Sequence, residues 1–387
     1  MKSIKSIKLK LATLTAALVL AGCGGGGGGG IDFASMVSFG DSLSDVGTYR
    51  VGTIAALGGG KFTINGPQAR NWTELVAARA GTAAPCAAQT GLLPNIPGFT
   101  GAAVTNVPAC TNYAQGSARV SGVFSVNSAT LQAAPFNQVN LGLMAVPITT
   151  QLSTHLAKNG GTYNPNDLVT VMGGGNDVFM NLNGVSAAAL GGAGAVGGAI
   201  TAGWDASVQA AVAAGGAAAV NAAATAAVTS MGAAGAQLAA LVKSQILAKG
   251  ARYVVVVNLP DVSQSPFGLS QSATTRALIS QMVTTFNAQL ASGLAGSGVL
   301  QVDAYTQGRT QTANPAAYGI TNVTTPACSA TSPANPLEGS SLACTAASLI
   351  PGDTSGYSYA DTVHPTPLVH QLIANQVTAQ MQAAGWF

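Results

Sequence analysis

Three side chains at opposite ends of the sequence could do one piece of chemistry together. Ser42 lies in Ser38-Phe39-Gly40-Asp41-Ser42-Leu43-Ser44-Asp45, and Asp361 and His364 lie in Asp361-Thr362-Val363-His364-Pro365. A serine hydroxyl becomes a nucleophile when an imidazole takes its proton and a carboxylate fixes the imidazole tautomer. A three-residue offset in a turn lets Asp361 hold Nδ1–H of His364, which leaves Nε2 for the serine. Pro365 stiffens the backbone just after the histidine. Charge developing on a substrate oxygen also needs N–H donors. Asn176, in Gly174-Gly175-Asn176-Asp177, can offer a side-chain N–H. Gly116, in Asn112-Tyr113-Ala114-Gln115-Gly116, can offer a backbone N–H with no side chain in the way. Each residue also has a plainer reading. Gly-Asp-Ser is turn and N-cap chemistry, Asn176 a turn residue, Gly116 a loop glycine, and Asp361 with His364 a solvated loop. His155, beside a helical apolar stripe, reads as surface or core filler. His370, on the last helix, reads as solvated.

The elements around these residues must place them at one edge. Residues 34–39 form a short apolar run suited to a buried strand, and Gly40 permits a sharp exit. Ser42 then follows the strand's C-terminal end, where open parallel sheets bind ligands. Residues 167–172 are a second strand that runs into Gly173-Gly174-Gly175-Asn176-Asp177. Residues 253–259 are a third, β-branched and fit for a central parallel position. Residues 299–302 are a last one. Helices are expected at 71–80, 148–158, 274–290 and 368–384 by apolar period. Residues 81–112 and 305–356, rich in Gly, Pro, Ser and Thr, read as long loops. Residues 184–216 read as a flexible Ala/Gly insertion, followed by an Ala-rich helix over 206–249 broken at Gly215-Gly216, Gly232 and Gly235. That tract is too small-residued and glycine-broken to read as a membrane span. Its G-x-G-x-x-G match at 192–197 has no strand before it and is rejected as a dinucleotide site. Alternating strands and helices predict an α/β fold with a mainly parallel sheet covered on both faces.

Four blocks stand in order: Gly-Asp-Ser-Leu, Asn-x-Ala-x-Gly, Gly-x-Asn-Asp and Asp-x-x-His-Pro. In this order the chain resembles the GDSL lipases and esterases of the SGNH hydrolase superfamily. Residues 61–67 and Trp72-Thr73-Glu74-Leu75 resemble the longer-chain subgroup. The resemblance covers residue 34 to the C-terminus, less the Ala/Gly insertion. It implies a three-layer α/β/α flavodoxin-like fold with a five-stranded sheet. It also implies a serine ester hydrolase: Ser42 as nucleophile, His364 as base and then acid, Asp361 as its orienter. The N–H groups of Ser42, Gly116 and Asn176 would hold the oxyanion. The chain departs from many relatives in having Gly116-Ser117 where they carry Gly-Gly. Some relatives carry a C-terminal barrel; one helix follows His364 here, and no barrel is expected. No G-x-S-x-G elbow is present, which argues against the α/β-hydrolase fold.

The N-terminus reads as a leader. Lys2, Lys5, Lys8 and Lys10 precede an apolar stretch, 11–21, too short to span a bilayer. Leu20-Ala21-Gly22-Cys23 resembles a bacterial lipobox, so residues 1–22 are expected to be a lipoprotein signal peptide and Cys23 a lipid anchor. Residues 23–33 then form a Gly-rich tether, and 34–387 the hydrolase domain. Gly24 after Cys23 resembles the pattern sorted to the outer membrane. Without the leader, Lys+Arg falls from 15 to 11 against 12 Asp+Glu, so the net charge moves from +3 to −1. Nothing in that balance suggests nucleic acid as partner. The expected partners are an ester substrate and, through the anchor, a membrane. Cys86, Cys110, Cys328 and Cys344 allow three disulfide pairings, of which the sequence-local Cys86–Cys110 and Cys328–Cys344 are favoured. A zinc site is the alternative; no C-x-x-C pair or nearby histidine supports it. No metal or organic cofactor is implied. The leading function is hydrolysis of lipid or short-chain acyl esters. An acyltransferase or carbohydrate deacetylase on the same site, and a catalytically silent envelope lipoprotein, are the alternatives.

Overall fold

The structure is a computed structural model, and it describes residues 30–192 and 194–387. The leader and the Cys23 anchor lie outside the described residues. In chain order the strands are β1 (Ser35–Gly40), β2 (Gln89–Leu92), β3 (Ala102–Asn106), β4 (Asp167–Met172), β5 (Tyr253–Val257) and β6 (Leu300–Val302). The helices are α1 (Gly52–Ala56), α2 (Trp72–Arg79), α3 (Ile148–Lys158), α4 (Gly175–Ala189), α5 (Ala195–Thr201), α6 (Ala206–Ala214), α7 (Ala217–Leu241), α8 (Pro266–Ser270), α9 (Ala273–Leu294), α10 (Ala304–Ala313) and α11 (Pro367–Ala383).

The main sheet is parallel, in the order β1-β4-β5-β6. Side-chain alternation along each strand sends residues to opposite faces. Val37, Phe39, Val169, Val171, Val254 and Val256 pack with Ile148, Leu152, Met231 and Phe286, hence against α3, α7 and α9. Met36, Leu168, Met172, Val255, Val257 and Val302 pack with Trp72, Val76, Val377 and Met381, hence against α2 and α11. The result is the expected three-layer α/β/α arrangement. The sheet holds four strands rather than five. On the outer side of β1 the fifth position is taken by an irregular segment at Asn112. It makes one parallel bridge to Ser38 and main-chain bonds from Ser38 N to Thr111 O, from Tyr113 N to Ser38 O and from Gln115 N to Gly40 O. The pairing begins only past Pro108, which has no N–H to give, and ends where the chain turns off into the site.

Local chemistry explains the helix starts. Asn71 caps α2 by accepting from Thr73 N and Glu74 N, and Glu74 returns a bond to Asn71 N, a capping box. Ser272 caps α9 and Pro367 opens α11 at a position where no N–H is needed. The expected long loops hold structure of their own. Residues 81–112 contain the antiparallel hairpin β2–β3, and residues 305–356 contain the greater part of α10. Both cysteine pairs form disulfides, Cys86–Cys110 and Cys328–Cys344.

The Ala/Gly region is also folded, contrary to its expected flexibility. α4 runs on to Ala189, and α5 and α6 follow. Ile200 of α5, Trp204 of the turn that follows and Val212 of α6 enter the core. Gly215 and Gly216 do end α6 and start α7. Gly232 and Gly235 do not break α7. Buried Ala219, Ala223, Ala227, Met231 and Gly235 recur at four-residue steps, a stripe that meets α9 and α4. Helix Ala217–Lys249 is long and apolar enough to cross a membrane by length and composition, with mean hydropathy 1.3. In this fold that stripe is instead packed inside the domain.

At Gly235 the backbones of α7 and α9 come close. A Cβ there would lie 2.3 Å from the carbonyl oxygen of Phe286 on α9, whereas one at Gly232 would first meet the Thr285 methyl at 3.1 Å. Gly235→Val is therefore expected to destabilise the domain by about 3 kcal/mol or more, as overpacking against a rigid backbone does. Gly232→Ala is expected to stay within about 1 kcal/mol of the parent, its helix propensity offsetting the contact. Thermal unfolding followed by circular dichroism measures both, and equal melting temperatures for the two variants would contradict the packing described.

Candidate active site

The C-terminal ends of β1, β4, β5 and β6 point to one edge, and a cleft of about 890 Å³ opens there. Gly40 ends β1 so close to β4 that a Cβ would lie 2.1 Å from Met172 O. Gln151 of α3 closes that strand end, accepting from Gly40 N at 2.9 Å and donating to Gly40 O at 2.8 Å. The chain then turns, and Ser42 lines the cleft, 9% exposed.

The two ends of the sequence meet at this serine. His364 Nε2 lies 2.9 Å from Ser42 Oγ. On its other side, His364 Nδ1 lies 2.8 Å from Asp361 Oδ2 and 3.0 Å from Oδ1. This is the geometry in which an imidazole held in one tautomer can take a serine proton. Asp361 is itself held by backbone donors: Oδ1 accepts from Val363 N and His364 N, and Oδ2 from Ser341 N. Burial alone would raise its pKa. The adjacent His364 charge and these hydrogen bonds outweigh burial and hold the carboxyl well below its ordinary range. The Phe62 ring lies over His364, centroids 4.9 Å apart.

Asn176 stands in the first turn of α4 and lines the cleft. Its Nδ2 donates one proton to Ala118 O at 2.9 Å, and the amide's second proton is available. The neighbouring Asp177 pins the same loop, accepting from Arg119 Nε at 2.9 Å and Val120 N at 3.0 Å.

Gly116 is placed differently from expectation. Its N–H is donated to Asp45 Oδ2 at 2.9 Å, so it is not free to hold an oxyanion. The lack of a side chain serves packing instead. A Cβ at Gly116 would lie 2.2 Å from the Phe62 ring and 3.0 Å from Tyr49. The residue that lines the cleft at this point is Ser117. It holds φ 64°, and among the described residues no acceptor takes its N–H. The Gly116-Ser117 departure in the sequence marked this spot but not which residue lines the cleft.

The other two histidines stand apart from the serine. His155 is buried among Phe39, Tyr113 and Tyr163, and burial lowers its pKa to about 4. His370 is buried, not solvated as expected, at 1% exposure. It stands in the first turn of α11, and burial, helped by the His364 charge, lowers its pKa to about 3. Among the described residues no His/Cys/Asp/Glu group could hold a metal.

The model of the GDSL-like lipase/acylhydrolase family matches residues 36–377. The chain belongs to that family. As a member of the GDSL-like lipases and acylhydrolases, it is a hydrolase of ester bonds by family. No curated protein matches it. Among solved structures it is similar to an extracellular lipase from Streptomyces rimosus, at 15% identity and a TM-score of 0.36, over 90% of this chain and 99% of that one.

Two buried carboxylates beside the serine set an acid-side stability profile. Burial pushes Asp41 and Asp45 up from 3.8 to about 6, against lowering by backbone N–H groups such as those of Leu43 and Thr48. A folded pKa above the unfolded one means that the folded state binds more protons between about pH 4 and pH 6. Their contribution is thus largest near pH 4 and is lost as pH rises through 6. Asp361 acts in the opposite sense: its contribution is present above 3.8 and is lost as pH falls below that value. Melting temperatures are expected to peak between pH 4 and 5 and to decline toward pH 7. Asp41→Asn is expected to flatten part of that decline; an unchanged slope would contradict the assignment.

Proposed function

We propose that this protein is a serine carboxylester hydrolase working through an acyl-enzyme. The observation that carries the proposal is the pair of contacts on one imidazole, Ser42 Oγ at 2.9 Å and Asp361 Oδ2 at 2.8 Å. Ser42 Oγ attacks the ester carbonyl while His364 Nε2 takes its proton. Asp361 keeps Nδ1–H in place and stabilises the imidazolium. The tetrahedral oxyanion is held by the N–H groups of Ser42 and Ser117 and by the second Nδ2 proton of Asn176, a set that replaces the Gly116 donor read from the sequence. His364 returns the proton to the leaving alcohol. A water activated by the same imidazole then attacks the acyl-enzyme and releases the acid.

The test is hydrolysis of nitrophenyl esters from acetyl to palmitoyl by protein beginning at Ile31. Ser42→Ala is expected to lose at least about 10⁴-fold in kcat, and Asn176→Ala about 10²–10³-fold. Activity retained in Ser42→Ala would overturn the assignment.

We further propose that the protein is lipid-anchored through Cys23 at the bacterial envelope, a reading supported by Leu20-Ala21-Gly22-Cys23, which resembles a lipobox, and by the Gly24 that follows it. Cells fed a labelled fatty acid are expected to label the full chain and not Cys23→Ser; equal labelling of both would overturn the anchor.

A further inference from the structure

The two ends of the parallel sheet differ in charge. Helices that return beside parallel strands bring their C-termini to the edge where the strands begin. Three of them end on a cation there: α2 on Arg79, α3 on Lys158 and the long helix Ala217–Lys249 on Lys249. Arg252 follows, one residue before β5. The helix macrodipole favours cations at such ends, but carboxylates are scarce beside them. Among the described residues none of the four is in an ion pair. Arg79 is held by Thr378 and Asn375, and Lys158 donates to Cys110 O. The acidic side chains of the segments that enter the strands are Asp32, before β1, and Asp167, which is buried and accepts from Ser35. At the opposite edge Asp41, Asp261, Glu338 and Asp361 line the cleft, and among the described residues no lysine or arginine does.

The chain enters the domain at the basic edge. Ile31 N donates to Trp386 O at 2.9 Å. Phe33 packs edge-on against Tyr253, Trp386 and Phe387, with ring centroids 5.4, 6.4 and 6.5 Å away. Tyr253 is the first residue of β5, so this aromatic group sits where the strands begin, and Phe387 is 40% exposed. Aromatic rings favour the water–lipid interface and cations favour anionic headgroups. The reach of the anchor is short. The eight residue steps from Cys23 to Ile31 span at most about 29 Å in any conformation, whereas a compact domain of this length is about 50 Å across. A lipid on Cys23 therefore holds the edge where the strands begin at the membrane, with the cleft turned from it.

Resting on the Cys23 anchor proposed above, we propose that the edge carrying Arg79, Lys249, Arg252 and Trp386 docks on the anionic bilayer that holds the anchor. Esters then reach Ser42 from the aqueous side and not from the lipids of that bilayer.

The lipidated full chain, taken from membranes and reconstituted in vesicles of brominated phosphatidylglycerol, tests this. Bromine quenches tryptophan at short range, and the three tryptophans stand at different places. Trp386 is at the basic edge. Trp72 donates to Ser44 beside the serine turn, and Trp204 packs against Gly184 of α4, which flanks the cleft. Quenching is expected in the parent and is expected to vanish in Trp386→Phe. It is expected to fall by at least half in Arg79→Gln/Lys249→Gln/Arg252→Gln and at about 1 M salt. Unchanged circular dichroism shows that each variant is folded. Floated protein without quenching, quenching that survives Trp386→Phe, or quenching indifferent to charge and salt would overturn the docked edge alone. Full chain that does not float with the vesicles would instead overturn the anchor, and the docked edge with it.

Discussion

The carboxylate of Asp45 is buried, and a buried charge must be met by donors or it cannot stay. Here the donors come from the backbone. Oδ1 takes Gly47 N and Thr48 N, and Oδ2 takes Gly116 N from a segment far along the chain. Around it, Asn71 Nδ2 donates to Asp45 O and Asn112 Nδ2 to Ser44 O. The turn after β1, the start of α2 and the loop at 112–116 are therefore fastened to one acidic group. That fixes the serine turn, and it takes up the Gly116 N–H, so the backbone presents Ser117 to the cleft instead.

What the sequence made legible follows from contrast. β1, β4 and β5 are mostly apolar runs followed by glycine or proline, and α2, α3, α9 and α11 have apolar stripes, several with clear caps. Ser42, Asp361 and His364 were legible because three residue types of one reaction stood in short, ordered blocks. Contrast fails in the Ala/Gly region, where small residues pack as readily as they loop, so α5, α6 and the unbroken α7 were hidden. It fails again for the hairpin β2–β3, since the residues of β3 are all exposed and carry no alternation. His370 was misread because one polar residue on a helix does not reveal which face is turned inward. The direction of an N–H, as at Gly116 and Ser117, depends on backbone angles that residue type leaves open.

Ser341 carried no sequence signal at all, yet its N–H helps hold Asp361. Its loop is secured by Asn65, whose Nδ2 donates to Ser341 O and Cys344 O, and by the Cys328–Cys344 link. The acid that orients the imidazole is thus supported by a loop distant in sequence from the serine turn. The site is held by two loops, one fastened on Asp45 and one by the disulfide.

Ser42 and His364 are separated by 322 positions. A chain made from its N-terminus contains the nucleophile long before its base exists. Non-local contacts of this kind close late. The serine is therefore powerless until the last part of the chain is in place, and becomes reactive only when the segment before the final helix brings the imidazole to it.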